Sequence, residues 1–239
     1  MKYLAIIPAR GGSKGIPKKN LCPLDGMPLI YYTIKAALSS SSIDKTILST
    51  DNQEIANIGQ KYGAEVPFLR PKKYAKDLSP TIDLVLHAIK WLEQNSSYKP
   101  DAVILLQPTS PLRTSAHIEE AIKIFNKKKP DALVSTVEVP HNFSPDKLLS
   151  FDRNHLFIKK NEDFNTIKPR QDMPRLYARN GPALLIFNTR FIKKEKNFYR
   201  GITLPYIMKK EASIDIDDKS DLMIAESIIR YNRKNEENI

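Results

Sequence analysis

Short, unbroken apolar runs alternate along this chain with longer stretches in which apolar residues recur every three or four positions. The first pattern belongs to buried strands and the second to amphipathic helices. Strands are predicted at Leu4 to Ile7, Thr46 to Thr50, Glu65 to Leu69, Ala102 to Leu106, Ala132 to Val137 and Ala183 to Asn188, with an edge strand at Ile202 to Ile207. Helices are predicted at Leu29 to Leu38, packing Ile30, Ile34, Ala37 and Leu38 inward, and at Asn52 to Tyr62, where Gly63 is a C′ residue. A third opens at Ser79-Pro80, with serine as cap and proline in the first position, and runs to about Asn95 through Ile82, Val85, Leu86, Ile89 and Leu92. Ser115 caps a fourth that reaches about Asn126, and the last spans about Ser220 to Ile229, ahead of a charged, frayed tail from Tyr231.

This order predicts the α/β class, with a mostly parallel mixed sheet flanked by helices on both faces. Ligands of such sheets lie beyond the carboxyl ends of the strands. The loop after the first strand, Asp51, Arg70 and Gln107 all fall there. From Pro140 to about Arg179 the pattern breaks into four prolines and irregular aromatics, Phe143, Phe151, Phe157, Phe164 and Tyr177. The segment is too apolar for a disordered linker and too irregular for the sheet. It is read as an inserted dimerisation arm, residues 140–179, within one domain covering 1–239. A surface β-excursion without a partner is the plain alternative.

The 239 residues suffice for a full α/β core, and 41% hydrophobic with 27% charged residues is a globular composition. No run of about 18 apolar residues is present, so no membrane span is expected. The chain enters a strand almost at once, and the lone cysteine, Cys22, rules out a disulfide framework. A cytoplasmic location is the resulting expectation. The net charge of +11 fits anionic ligands, but the lysines are dispersed rather than set in a basic stripe with aromatics, so no nucleic-acid partner is expected.

Two stretches carry candidate chemistry. Between Pro8 and Asn20 lie three glycines (Gly11, Gly12, Gly15) and four cations (Arg10, Lys14, Lys18, Lys19). Glycines let backbone N–H groups turn toward an anion, and the cations add charge-assisted hydrogen bonds. Neither the P-loop pattern nor the dinucleotide G-x-G-x-x-G fingerprint matches, and a surface turn with solvated lysines is the alternative. Near the other end, Asp215 and Asp217 alternate with Ile214 and Ile216. An extended backbone puts both carboxylates on one side, about 7 Å apart, which suits Mg²⁺ completed by substrate oxygens. Capping of the last helix by Asp217-Asp218 is the alternative.

The sequence resembles the acylneuraminate cytidylyltransferases, or CMP-sialic acid synthetases. The likeness rests on Ala9-Arg10-Gly11-Gly12-Ser13-Lys14-Gly15-Ile16-Pro17 with Asn20, on Ser49-Thr50-Asp51, on Leu106-Gln107-Pro108-Thr109-Ser110-Pro111-Leu112-Arg113, and on Ser213-Ile214-Asp215-Ile216-Asp217. Pro169-Arg170-Gln171 followed by Arg179-Asn180-Gly181 adds a fifth block. The resemblance implies a nucleotidyltransferase fold and transfer of CMP from CTP to the anomeric 2-hydroxyl of a nine-carbon acidic sugar, releasing pyrophosphate. It implies that Arg10, Gly12, Ser13 and Lys14 hold the triphosphate, with Arg10 and Lys14 catalytic, and that Asn20 and Arg70 read the nucleoside. It implies that Asp215 and Asp217 bind Mg²⁺, or Mn²⁺, and act in catalysis. Gln107 and Arg170 then contact the sugar, and Lys147 reaches it from the partner of a homodimer with shared active sites.

The chain departs from the family pattern at Asn180-Gly181-Pro182, where Asn-Gly-Ala is usual, and at Pro80 in Asp77-Leu78-Ser79-Pro80-Thr81. Both departures leave the sugar open among N-acetylneuraminic, legionaminic and pseudaminic acids. The eight-carbon acid of CMP-KDO synthetases fits less well, because their first loop lacks this lysine. A sugar-phosphate nucleotidyltransferase of similar fold and a basic nucleic-acid binder are the remaining alternatives. His87 and His117 are read as packing or cap residues, and no general base is assigned.

Overall fold

The computed structural model describes residues 1–13, 15–144, 149–152, 155–158, 174–181 and 183–237. Its elements are β1 (Tyr3–Pro8), β2 (Pro23–Leu24), β3 (Met27–Pro28), α1 (Leu29–Leu38), β4 (Lys45–Ser49), α2 (Gln53–Lys61), α3 (Thr81–Asn95), β5 (Ala102–Leu105), α4 (Ser115–Lys128), β6 (Ala132–Glu138), β7 (Leu149–Asp152), β8 (His155–Ile158), β9 (Tyr177–Arg179), β10 (Leu185–Asn188), α5 (Thr189–Glu195), β11 (Thr203–Met208) and α6 (Lys219–Glu237). The main sheet runs β11-β6-β10-β5-β1-β4, with β9 also paired to β6. Strands β4, β1, β5, β6 and β11 point one way; β10 lies between β5 and β6 and runs against both. Strands β7 and β8 form a separate antiparallel hairpin.

Both sheet faces are covered, which is why the strands read as continuous apolar runs. Tyr3, Ala5 and Ile7 join Ile30, Ile34, Ile118 and Phe125 on one face, packing α1 and α4. Leu4 and Ile6 join Val85, Ile89, Leu92, Phe187 and Ile192 on the other, packing α3 and α5. A smaller cluster sets Ile16, Leu24 and Leu29 against Ile216 and Ala225, fastening α6 to the loop after β1.

Several expectations are corrected. Glu65 to Leu69 makes only two isolated bridges, Glu65 to Ile47 and Leu69 to Thr50, because Pro67 between them has no N–H to extend the ladder. The Ser79 hydroxyl does not cap α3; it donates to the Lys73 carbonyl and accepts from the Lys76 N–H, closing the preceding turn. Thr114, not Ser115, caps α4, in a box completed by His117. Leu38, at the end of α1, is half exposed. Asn188 caps the unforeseen α5 by accepting from the N–H groups of Arg190 and Phe191. The tail from Tyr231 is not frayed, since α6 continues to Glu237.

The arm expected at 140–179 is only partly within the described residues. Its end, β9, pairs with β6 through Thr136 opposite Arg179 and so rejoins the main sheet. Among the described residues no helix is long and apolar enough to cross a membrane.

Candidate active site

The loop after β1, the segment from Arg70 into the start of α3 and the loop after β5 open on one side of the sheet around a cavity of about 530 Å³. Its wall includes Arg10, Ser13, Lys19, Asn20, Arg70, Gln107 and Asp217. The loop after β1 and the aspartates near the C-terminus are thus at one place. The Lys19 ammonium donates to the Ile216 carbonyl at 2.6 Å and to Asp217 Oδ1 at 3.2 Å. A methyl group at Gly15 would stand 2.5 Å from the Asp217 carbonyl oxygen, so only glycine admits this approach.

The loop is also shaped from within. Asn20, buried, donates to the Arg10 carbonyl at 3.0 Å. Asp51, just past β4, accepts from the Gly11 N–H at 3.0 Å and lies 3.7 Å from the Arg70 guanidinium. The Arg70 side chain is 3% exposed and its Nε has no hydrogen-bond partner. Burial lowers its pKa from the ordinary arginine value; Asp51 opposes this and Arg10 adds to it. Arg10 is ion-paired to Asp77 across the cavity mouth. Gly12 is exposed, with open space where a side chain would be, and stands off the cavity wall. Lys14, Lys147 and Arg170 lie outside the described residues.

The two aspartates differ. Asp218, not Asp217, caps α6, accepting from the N–H groups of Ser220 and Asp221. That leaves the Asp217 side chain, 81% exposed, toward the cavity. Asp215 is more enclosed and stands off the cavity wall. Burial raises its carboxyl pKa, Thr109 opposes, and the charge of Asp217 raises it further. Asp215 Oδ1 is buried without a hydrogen-bond partner. A hard divalent cation suits this arrangement, since it would satisfy the orphaned oxygen and offset the repulsion between the carboxylates. Mg²⁺ takes one or two carboxylates plus substrate oxygens. Larger groups of His, Cys, Asp and Glu able to hold a metal do not occur among the described residues.

Asp215 lies against a turn that the sequence marks only faintly. Asn180 Oδ1 accepts from the Ser135 hydroxyl at 2.6 Å, and its Nδ2 donates to the Ser213 hydroxyl at 2.9 Å. Gly181 follows at φ +103°, and a methyl group there would lie 2.9 Å from Asp215 Oδ2. Gly181→Ala is therefore expected to cost about 1–2 kcal/mol in backbone strain and to move Asp215. A lower melting temperature with a weakened metal dependence would show both; unchanged metal dependence would detach this turn from the site.

Lys19, Asp77 and Thr109 were not singled out from the sequence as site residues, whereas Asp51, expected at the cleft with Arg70 and Gln107, stands off the cavity wall. For Lys19 the signal was its place in the cationic loop. For Asp77 and Thr109, ordinary polar residues in loops, no signal existed without their neighbours. His87 packs against Phe68 and Tyr74, and His117 accepts the Thr114 N–H, so both are packing or cap residues as read.

A glycine-rich loop at the carboxyl ends of parallel strands, opening on a cavity lined by Arg10, Lys19, Arg70 and Asp217, lies where α/β sheets bind their ligands. The Cytidylyltransferase family profile matches residues 4–232, and the chain belongs to that family. It is 35% identical to an N-acylneuraminate cytidylyltransferase of Escherichia coli over 100% of this chain and 54% of that protein, so it spans about half of that relative. It is 36% identical to a CMP-N,N'-diacetyllegionaminic acid synthase of Legionella pneumophila over 98% of this chain and 99% of that one. Among solved structures, a CMP:2-keto-3-deoxy-manno-octonic acid synthetase complexed with CTP matches with TM-score 0.71 at 13% identity, covering 97% of this chain and all of that one, a likeness of fold.

Proposed function

We propose that this protein transfers CMP from CTP to the anomeric 2-hydroxyl of a nine-carbon 2-keto sugar acid. The observation that carries this is the single cavity shared by the cationic glycine loop and Asp217. The family membership and the two relatives' names support the reaction and the class of acceptor. The sugar oxygen attacks the α-phosphorus, the bond to the β-phosphate oxygen breaks, pyrophosphate leaves, and the hydroxyl proton passes to solvent. Phosphoryl transfer of this kind is mostly positioning and charge stabilisation.

In this reading Arg10, Ser13 and Lys19, with Lys14, hold the triphosphate and offset charge on the departing pyrophosphate. Asn20 and Arg70, both on the cavity wall, hold the nucleoside. Asp215 and Asp217 hold Mg²⁺ or Mn²⁺, which when bound neutralises phosphate charge. Gln107 presents an amide that both donates and accepts to the polyhydroxylated acceptor. CTP with a panel of nonulosonic acids and the eight-carbon acid, scored by pyrophosphate release against UTP, GTP and ATP, tests this. Release with CTP and a nine-carbon acid is expected; release only with the eight-carbon acid or a sugar phosphate would replace the reading.

Segment 140–179 acts here as a dimerisation arm that brings Lys147 to the partner's site, while Arg170 meets the sugar carboxylate. The exposed apolar side chains of Phe143 and Tyr177 at its two ends support an occupied surface. Mixing an Asp217→Asn chain with a Lys147→Ala chain is expected to restore part of the activity that each alone lacks. No recovery would mean that each subunit works alone.

A further inference from the structure

Arg113 ends the turn between β5 and α4 that begins at Gln107, and among the described residues it is the largest fully buried side chain, 1% exposed. Among the described residues it has no ion-pair partner. Its Nε donates to the Ala183 carbonyl at 3.1 Å, and its Nη2 donates to the Thr33 hydroxyl at 2.7 Å and to the Gln107 carbonyl at 3.4 Å. Thr33 donates in turn to the same Gln107 carbonyl at 3.3 Å. Nη1 has no partner. Burial pushes the guanidinium pKa down to about 9, so it remains a cation at neutral pH.

A buried charge without a counter-ion is unfavourable, and an apolar side chain of similar volume would serve the fold better. The turn explains why a cation is kept. Pro108 and Pro111 remove two backbone donors from it, and its own N–H groups reach the Gln107 and Ser110 carbonyls only at 3.4 Å, so donors from outside the backbone strengthen it. A rigid fork of charged donors meets its carbonyls more strongly than a neutral group would. The same turn carries two parts of the site. Gln107 lines the cavity, and the Thr109 carbonyl accepts from the Ile216 N–H at 2.7 Å, between the two aspartates. Ala183, the third anchor, lies two residues past the glycine that abuts Asp215.

We infer that Arg113 is a positioning residue, fixing the Gln107 turn so that the Gln107 amide meets the acceptor sugar. This rests on the reaction proposed above. Arg113→Met and Arg113→Lys, each in the full chain, test it. Arg113→Met is expected to melt within about 5 °C of the parent. The turn's amides should exchange about tenfold faster, with β5 and β10 unchanged. KM for the sugar acid should rise about tenfold while KM for CTP moves less than about twofold, and Arg113→Lys should recover part of the loss. In a Gln107→Ala background the effect of Arg113→Met should shrink to within about twofold, because the two act as one unit.

Unchanged exchange in the turn, equal rises in both KM values, or full additivity with Gln107→Ala would overturn the inference. So would failure of both variants to fold, which would make Arg113 a residue of the fold alone. If the parent protein turns over none of the acids tested, the proposed reaction fails. The exchange measurement then decides the role of Arg113 by itself, with faster exchange sustaining it and unchanged exchange ending it.

Discussion

Asp217→Asn is expected to abolish cytidylyl transfer, by about a thousandfold or more, without disturbing the fold. The side chain is mostly exposed, and capping of α6 belongs to Asp218, so little stability is at stake. The substitution removes one negative charge from the pair whose mutual repulsion raises the Asp215 carboxyl. It keeps the shape and an acceptor oxygen but discards the charge on which divalent-cation affinity depends. Activity titrated against Mg²⁺ and Mn²⁺, beside a thermal melt, checks it. A variant that melts normally and turns over at the parent rate would exclude Asp217 from the metal and the chemistry.

Lys19→Met should cost about a hundredfold to a thousandfold, the range seen when one preorganised charge contact is removed from a phosphoryl- or acyl-transfer site. Lys19 lines the cavity, and its ammonium joins the loop after β1 to the Ile216 carbonyl and Asp217. The loss should appear in both kcat and KM for CTP, because the residue shapes the loop and, in the proposed reading, also meets the phosphates. Methionine keeps the stem that packs between loop and tail, so the melt should fall only slightly. Parent-like kinetics would reduce Lys19 to a structural tie between two segments.

Much of the architecture was legible because burial on both sheet faces writes itself into sequence as unbroken apolar runs, as at Leu4 to Ile7 and Ala102 to Leu106. The glycine-and-cation loop was legible because its backbone freedom and its charge are both local properties. The convergence of Arg10, Arg70 and Gln107 followed from one rule about strand ends, and they do line one cavity. The misread elements each turned on a single atom. Pro67 lacks the N–H that a strand at Glu65 to Leu69 would need, and the Ser79 hydroxyl finds a nearer partner than the helix it precedes.

The chain order of apolar and polar residues was enough to decide that this is an α/β protein, where most of its strands and helices fall, and which loop gathers glycines and cations at a strand end. Periodicity reports which residues are buried and says nothing about their neighbours or the direction of a strand. The reversal of β10 between β5 and β6 was therefore settled only in three dimensions. So was the contact of Lys19 with Asp217, 198 residues away along the chain. The division of labour among Asp215, Asp217 and Asp218, and the burial of Arg113 without a counter-charge among the described residues, were settled the same way. Each depends on distances between segments that only the packed core brings together.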